Sequence, residues 1–538
     1  MSFSAALKRF RLNRPAAIGM ALLYVGVLAS FLLAGRLGFE SPVSLIQETL
    51  SSVSVTPHFF IHYAPGSFTP EEVRHISAEH EFRLHQVEDA LQTEFPGPIN
   101  SYIYPDDDTK HRFIGTATTN IAKPWRQEIH LGKDSWEATL RHELTHVVAG
   151  SFGMPVIRAN YNTGIVEGLA MAVDPVFGNR TLHEYAAAVL RFGIIEDPAP
   201  LVSPIGFMTH SSSLSYVLMG SFCRFLIDRY GMPRFKQLYS GRSTSVVYGE
   251  SYDALLDEWQ SYLQRIDVPE EWRPHVDYYF RRPSIFAKEC VRTIAKLNDQ
   301  GWRNFEAKDY SGAMSAFTFS LDESKNTEAV SGILYSAFAA AKYDTLAPVI
   351  AANGGDSTLG ARLLIEEADA LWQLGNPARA DSIYNRVLAL DLSRREDESA
   401  ELRHEVCVLG TQGAPLKRFF VAGSLADAKN ILDSATFASP LLPYMRAKVE
   451  IAGAKFDSAA QHLETVAGKL PSQILNAAAE QSLAHCYFML GNYQKSREAY
   501  WLALNYEANP ASMADIYDNV ERCEWYLSKT ISSGSPAK

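Results

Sequence analysis

The sequence predicts an α+β domain followed by an all-helical repeat region, with a single membrane-spanning helix ahead of both. Three observations carry this prediction. Residues 16–35 contain no charge, the next two hundred or so mix strand-like and helix-like segments, and the remainder keeps to helical spacing throughout. A chain of 538 residues exceeds what one core serves, so several domains are expected. Hydrophobic content of 47% and charged content of 21% exclude wholesale disorder. A net charge of −11 argues against nucleic acid as a partner. The five cysteines are scattered and form no CxxC pair, which excludes a disulfide scaffold and a cysteine-ligated zinc module.

The N-terminal stretch AAIGMALLYVGVLASFLLAG, Ala16 to Gly35, is long enough as a helix to cross a bilayer. Lys8, Arg9, Arg11 and Arg14 precede it and only Arg36 follows closely. By the positive-inside rule, residues 1–15 form a cytoplasmic basic tail and everything after the span is exported, to a periplasmic or extracellular side. The apolar run continues past the small residues Val27-Leu28-Ala29, which favours an uncleaved signal anchor over a removed signal peptide.

Residues 55–267 make up the expected α+β domain. Pro57 to Pro65 is rich in aromatic and β-branched residues and reads as a strand. Thr69 to Phe95 opens on a Thr-x-x-Glu capping box and continues at helical spacing. Pro98 to Pro105 and Arg126 to Gly132 read as further strands, and Ser135 to Val148, Ser215 to Gly231 and Ser251 to Ile266 as helices. The spacing of five between His75, His80 and His85 does not suit one helix face, so these are expected in solvent. Proline and charge cluster from Val268 to Pro283, a boundary signal.

Residues 284–530 read as all helix. Tyr493, Ser496, Tyr500 and Ala503 follow a small–aromatic pattern that recurs with Ala380 and Tyr384. Weaker copies use Tyr310, Ala313 and Phe317, then Leu425, Ala428 and Leu432, then Phe456, Ala459 and Leu463, with a partial one at Tyr343. Most intervals lie near 34 residues, and the pattern resembles tetratricopeptide repeats. That resemblance implies a solenoid that binds a protein partner.

His142-Glu143-Leu144-Thr145-His146 is an HExxH sequence. Histidines four apart share a helix face, so both imidazoles can reach one cation while the intervening glutamate serves its water. Leu140, Leu144, Val147 and Val148 offer the helix an apolar side, and the strand just before it is expected to edge a substrate cleft. A catalytic zinc needs a third protein ligand and an open fourth position. Glu167, in NTGIVEGLAMAVD, is the candidate, and the absence of HExxHxxGxxH excludes an all-histidine arrangement.

HELTH followed by VEGLA resembles the gluzincin group of zinc metallopeptidases, in particular the peptidase MA-like domains of bacterial proteins. The resemblance spans about Pro57 to Ile266. It implies a zincin-like fold, His142, His146 and Glu167 as ligands of one Zn²⁺, and Glu143 as general base toward a peptide or protein substrate. It also implies an oxyanion donor beyond the third ligand, for which Tyr216 is the first candidate and His210 and Tyr248 the alternatives. Thermolysin-like relatives carry an acid four positions after the ligand glutamate, where this chain has Met171; Asp174 is the substitute considered. The competing expectation is a zincin-like domain without activity, serving with the repeats as a membrane-tethered scaffold.

Overall fold

The computed structural model describes residues 41–532, apart from 175, 179, 204–205, 210–211, 282–290, 324–325, 343–347, 350–360, 391–392 and 436. The expected membrane span, the basic tail and the partial repeat at Tyr343 therefore lie outside the described residues. Among the described residues, no helix is long and apolar enough to cross a membrane. The protein is mixed α/β, with a small N-terminal sheet and a large helical C-terminal region. It divides into two compact units. The first takes the described residues up to Tyr161 together with Tyr230–Tyr248, and the second takes Asn162–Arg229 and the described residues from Gly249 onward.

The first unit is built on a five-stranded sheet. Its strands are β1 (Ser52–Val55), β2 (Phe59–Tyr63), β3 (Ile99–Tyr104), β4 (Ile121–Lys123) and β5 (Glu128–Gly132), in the order β1-β2-β3-β5-β4. β2, β3 and β5 run parallel, while β1 and β4 pair antiparallel at the two edges. The strand expected to edge a cleft, β5, is thus interior; three residues too few in number to register as a sequence signal, Ile121–Lys123, take the edge instead.

Helix α1 (Val43–Thr49) packs Ile46 and Leu50 against Tyr102, Tyr104 and Phe113. Helix α2 (Pro70–Leu91) starts on the anticipated capping box: the Thr69 side chain accepts from the Glu72 amide, and the Glu72 carboxylate accepts from the Thr69 amide at 2.7 Å. Helix α3 (Asp107–Ile114) follows β3, and helix α4 (Trp136–Ala149) follows β5. Helix α8 (Met232–Tyr239) completes the unit, tied by Asn160 Nδ2 donating to the carbonyls of Leu238 and Tyr239 at 2.9 and 3.1 Å.

One of the three histidines expected in solvent is instead in the core. His80 on α2 is fully buried, its ring edge-on to Phe59 and stacked on Trp136. Its Nδ1 donates to the Ile76 carbonyl at 2.7 Å, and Nε2 accepts from the Ser101 hydroxyl at 2.9 Å. A buried histidine satisfied by a carbonyl and a hydroxyl needs no helical repeat with its neighbours, which is why spacing misplaced it.

The second unit begins with α5 (Thr163–Val173), the short β6–β7 hairpin (Val176–Phe177, Arg180–Thr181) and α6 (Leu182–Arg191). Helices α7 (Ser212–Tyr230), α9 (Tyr252–Leu263) and α10 (Arg273–Phe280) follow. α10 falls inside the stretch read as a boundary. Its proline occupies the first turn, where no helical hydrogen bond is lost. Its His275 is buried, with Nε2 2.6 Å from the Tyr185 hydroxyl of α6. The last helix, Pro510–Ser532, lies against the β6–β7 hairpin, so the C-terminal helices and this part of the chain share one unit.

In the helical region, each described copy of the small–aromatic pattern falls on one helix: Tyr310–Glu323, Pro377–Ala389, Leu425–Ser434, Phe456–Val466 and Tyr493–Ala503. The small residues of the pattern are buried at Ala313, Ala380, Ala428, Ala459 and Ser496, and so are Phe317, Tyr384, Leu432, Leu463 and Tyr500. At Asp369 polar burial is compensated. Arg403 meets the Asp369 carboxylate with Nε and Nη2 at 2.9 and 3.0 Å, and the Tyr384 hydroxyl donates to the same carboxylate at 2.7 Å.

His80 has a consequence for stability against pH. Burial, partly offset by the Ile76 carbonyl and Glu81, lowers its pKa from 6.5 to about 4. The unfolded chain therefore binds a proton that the folded chain refuses, and stability falls as pH drops from 6.5 toward 4. Urea denaturation at pH 7.5 and 5 should show a loss of about 2 kcal/mol attributable to His80. His80→Gln should narrow the difference between the two pH values by that amount.

Candidate metal centre

Helix α4 owes its position to its apolar side: Leu140, Leu144, Val147 and Val148 are all buried. The opposite consequence of the same helical repeat is that His142 and His146 project together from one turn. Their rings stand at 85° with centroids 4.8 Å apart, and the two Nε2 atoms are 3.2 Å from one another. Two zinc–nitrogen bonds of about 2.0–2.1 Å meeting near the tetrahedral angle would hold their nitrogens about 3.3 Å apart. An N–H···N bond between neutral rings has a similar length, so the pair alone does not identify a metal site.

A third side chain does add to it. Glu167 stands in the second turn of α5, whose N-terminus is capped by Asn162: Oδ1 accepts from the Gly164 amide at 2.9 Å, and Nδ2 donates to the Val202 carbonyl. One ligand atom each from His142, His146 and Glu167 lie within 4.8 Å of one another. Half-buried His142 and Glu167 and buried His146 leave a partly open face. Two imidazoles and a carboxylate are a donor set suited to Zn²⁺. Glu143, between the histidines, is buried, with 6% of its surface exposed.

The residue after Glu167 is glycine for a steric reason. A Cβ on Gly168 would stand 2.6 Å from Cys223 Sγ and 2.6 Å from the Met219 carbonyl oxygen, both on α7. Gly220 of α7 is matched in the same way, with the Met171 side chain 2.7 Å from where its Cβ would be. Met171, found where an acid was sought, is therefore a packing residue of the α5–α7 contact. α5 ends at Val173, so Asp174 is the residue that leaves the helix rather than a continuation of the Glu167 face.

The expected oxyanion donors are distributed as follows. Tyr216 is half-buried on α7, its ring edge-on to Phe207 at 5.1 Å. Tyr248 is buried, with its ring 4.8 Å from that of Tyr230. His210 lies outside the described residues.

Sequence reasoning missed a buried polar network on the Glu143 side of α4. Asn120 Nδ2 donates to Ser135 Oγ at 3.0 Å and Thr139 Oγ1 at 2.6 Å, and Oδ1 accepts from the Gly132 amide at 2.9 Å and from Lys110 Nζ. Nothing in a run such as DDDTKHR marks its lysine as buried, because charged neighbours make the segment look solvated. The chain matches no protein-family model and no curated protein.

Two substitutions test the centre. Glu167→Ala should cut zinc retained after dialysis from about one per chain to well below it, measured by metal analysis. Gly168→Ala, which leaves every donor atom intact, should destabilise the fold by about 1–3 kcal/mol in urea titration, because backbone and sulfur on α7 would have to yield.

Proposed function

We propose that the chain is a zinc metallopeptidase of the gluzincin type, anchored in the membrane by residues 16–35 with its catalytic part exported. His142, His146 and Glu167 hold one Zn²⁺, and the zincin-like domain acts on a peptide or protein substrate. The observation that carries the reading is the convergence of those three side chains: the two histidines, with their Nε2 atoms 3.2 Å apart, stand on the helix that also presents Glu143, and Glu167 comes from α5. Zinc bound there supplies the Lewis acidity that makes water a nucleophile near neutral pH. Glu143 accepts the proton of the attacking water and passes it to the departing amine. The Tyr216 hydroxyl donates to the oxygen on which negative charge develops.

The buried small and aromatic residues at the starts of the C-terminal helices support a tetratricopeptide-type array that engages a protein partner. A second reading, an inactive zincin-like scaffold, is favoured by one observation: Met171 serves packing where relatives orient a ligand histidine.

Glu143→Gln separates the two readings. It should retain zinc while lowering chelator-sensitive cleavage of an internally quenched peptide library by about 10²–10⁴-fold. Cleavage at the wild-type rate by this variant would refute the peptidase scheme.

A further inference from the structure

We propose that β1 is the pairing strand of a homodimer, its free edge meeting the same edge of a second copy, antiparallel, across a two-fold axis at Ser54. β1 ends the sheet and, among the described residues, pairs with β2 alone. The Thr56 amide donates to the Phe59 carbonyl at 3.0 Å, and bonded and non-bonded pairs alternate along an antiparallel ladder. In the register Val55↔Phe60, Ser54↔Ile61, Val53↔His62, the next bonded pair is therefore that of Ser54. The backbone N–H and C=O groups of Val53 and Val55 point the other way, out of the sheet. Their side chains are 45% and 66% exposed and share a face with Phe60, itself 38% exposed. Such an edge is ordinarily guarded by charge, proline or a bulge. Ser52–Val55 has no charge and no proline, and its register with β2 is unbroken.

The occupant is a second copy because the segment is complementary to itself. Ser52-Val53-Ser54-Val55-Thr56 reads nearly alike in both directions from Ser54. Setting Ser54 against Ser54 of the second copy brings each Val53 opposite the other copy's Val55. Both outward-facing residues then enter bonded pairs, giving four backbone hydrogen bonds and one row of four valines. Residues 50–57 carry no charge, so two chains of net charge −11 meet there without placing like charges opposite one another. On the other face, Ser54 Oγ lies 2.9 Å from Ser77 Oγ of α2, which puts Ser77 near the axis. Arg74 and Glu81 stand about one turn to either side of it, and the two-fold turns the Arg74 end of one α2 toward the Glu81 end of the other. An isologous contact closes at two copies, so the edge stops there. Four residues of strand bury less than a free-standing dimer needs. The pairing therefore rests on the proposed anchor in one respect: copies held in one membrane meet at raised effective concentration.

Cysteine cross-linking of the full-length chain in its membranes tests this. Facing residues of a non-bonded pair have Cα atoms about 4.5 Å apart, within the span of a disulfide. Mildly oxidised Ser54→Cys should therefore run at twice the monomer mass on a non-reducing gel, and reductant should return it to monomer. Ser52→Cys should stay monomeric, since the axis sets its two Cα atoms about 14 Å apart, and the wild type gives the baseline. Adding Val53→Lys and Val55→Lys to Ser54→Cys sets lysine opposite lysine and should remove the dimer band with circular dichroism unchanged. A monomeric Ser54→Cys, equal cross-linking of Ser52→Cys, bands beyond the dimer, or an adduct with a different polypeptide would overturn the proposal. Recovery of the chain away from membranes would refute the anchor instead, and the same gel on the concentrated purified chain would then judge the pairing.

Discussion

The arrangement of the candidate centre depends on the pitch of one helix. Because an α-helix turns every 3.6 residues, His142 and His146 must emerge from α4 nearly in line, and Glu143 must emerge beside them. That geometry is available only while α4 is held in register, and burial of Leu140, Leu144, Val147 and Val148 does the holding. The other face of the same helix makes contact through Thr139 with Asn120, so apolar and polar anchoring act on a single element. The Glu167 carboxylate, on a different helix, α5, has an oxygen within 4.8 Å of a nitrogen of each histidine.

The second constraint is the crossing of α5 and α7. Helices approach this closely only where side chains are missing, and Gly168 and Gly220 provide the gap. Met171 and Met219 fill what remains, a use suited to a flexible thioether side chain. The position of Glu167 is thus set less by its own interactions than by the glycine next to it. Farther along the chain the same logic operates on a larger scale, with Ala313, Ala380, Ala459 and Ser496 letting helices approach while Phe317, Tyr384 and Tyr500 fill the spaces.

Much of this was legible in the sequence, for reasons that particular residues make plain. The four-residue spacing of the histidines, the Thr69 capping box and the small–aromatic alternation of the helical region are local patterns, and local geometry determines them. The strands β2 and β3 could be read from their aromatic and β-branched content. What escaped was non-local. The order that puts β4 rather than β5 at the sheet edge depends on pairing across the fold. The burial of His80 and Lys110 depends on partners, Ser101 and Asn120, that lie 21 and 10 residues away. The helix Arg273–Phe280 was hidden because proline and charge mark loops in general, whereas here the proline opens a helix.

The tight seat of Cys223 beneath Gly168 also bears on redox chemistry. Burial pushes its thiol far above the ordinary range, so it stays protonated and lacks the nucleophilicity that disulfide exchange requires. Cys486 and Cys523 are likewise buried and free, with thiols raised by burial, and among the described cysteines only Cys407 is half-exposed. Among the described cysteines an oxidising milieu would find little to attack: the close helix crossing that aims a carboxylate also shields a sulfur from covalent damage.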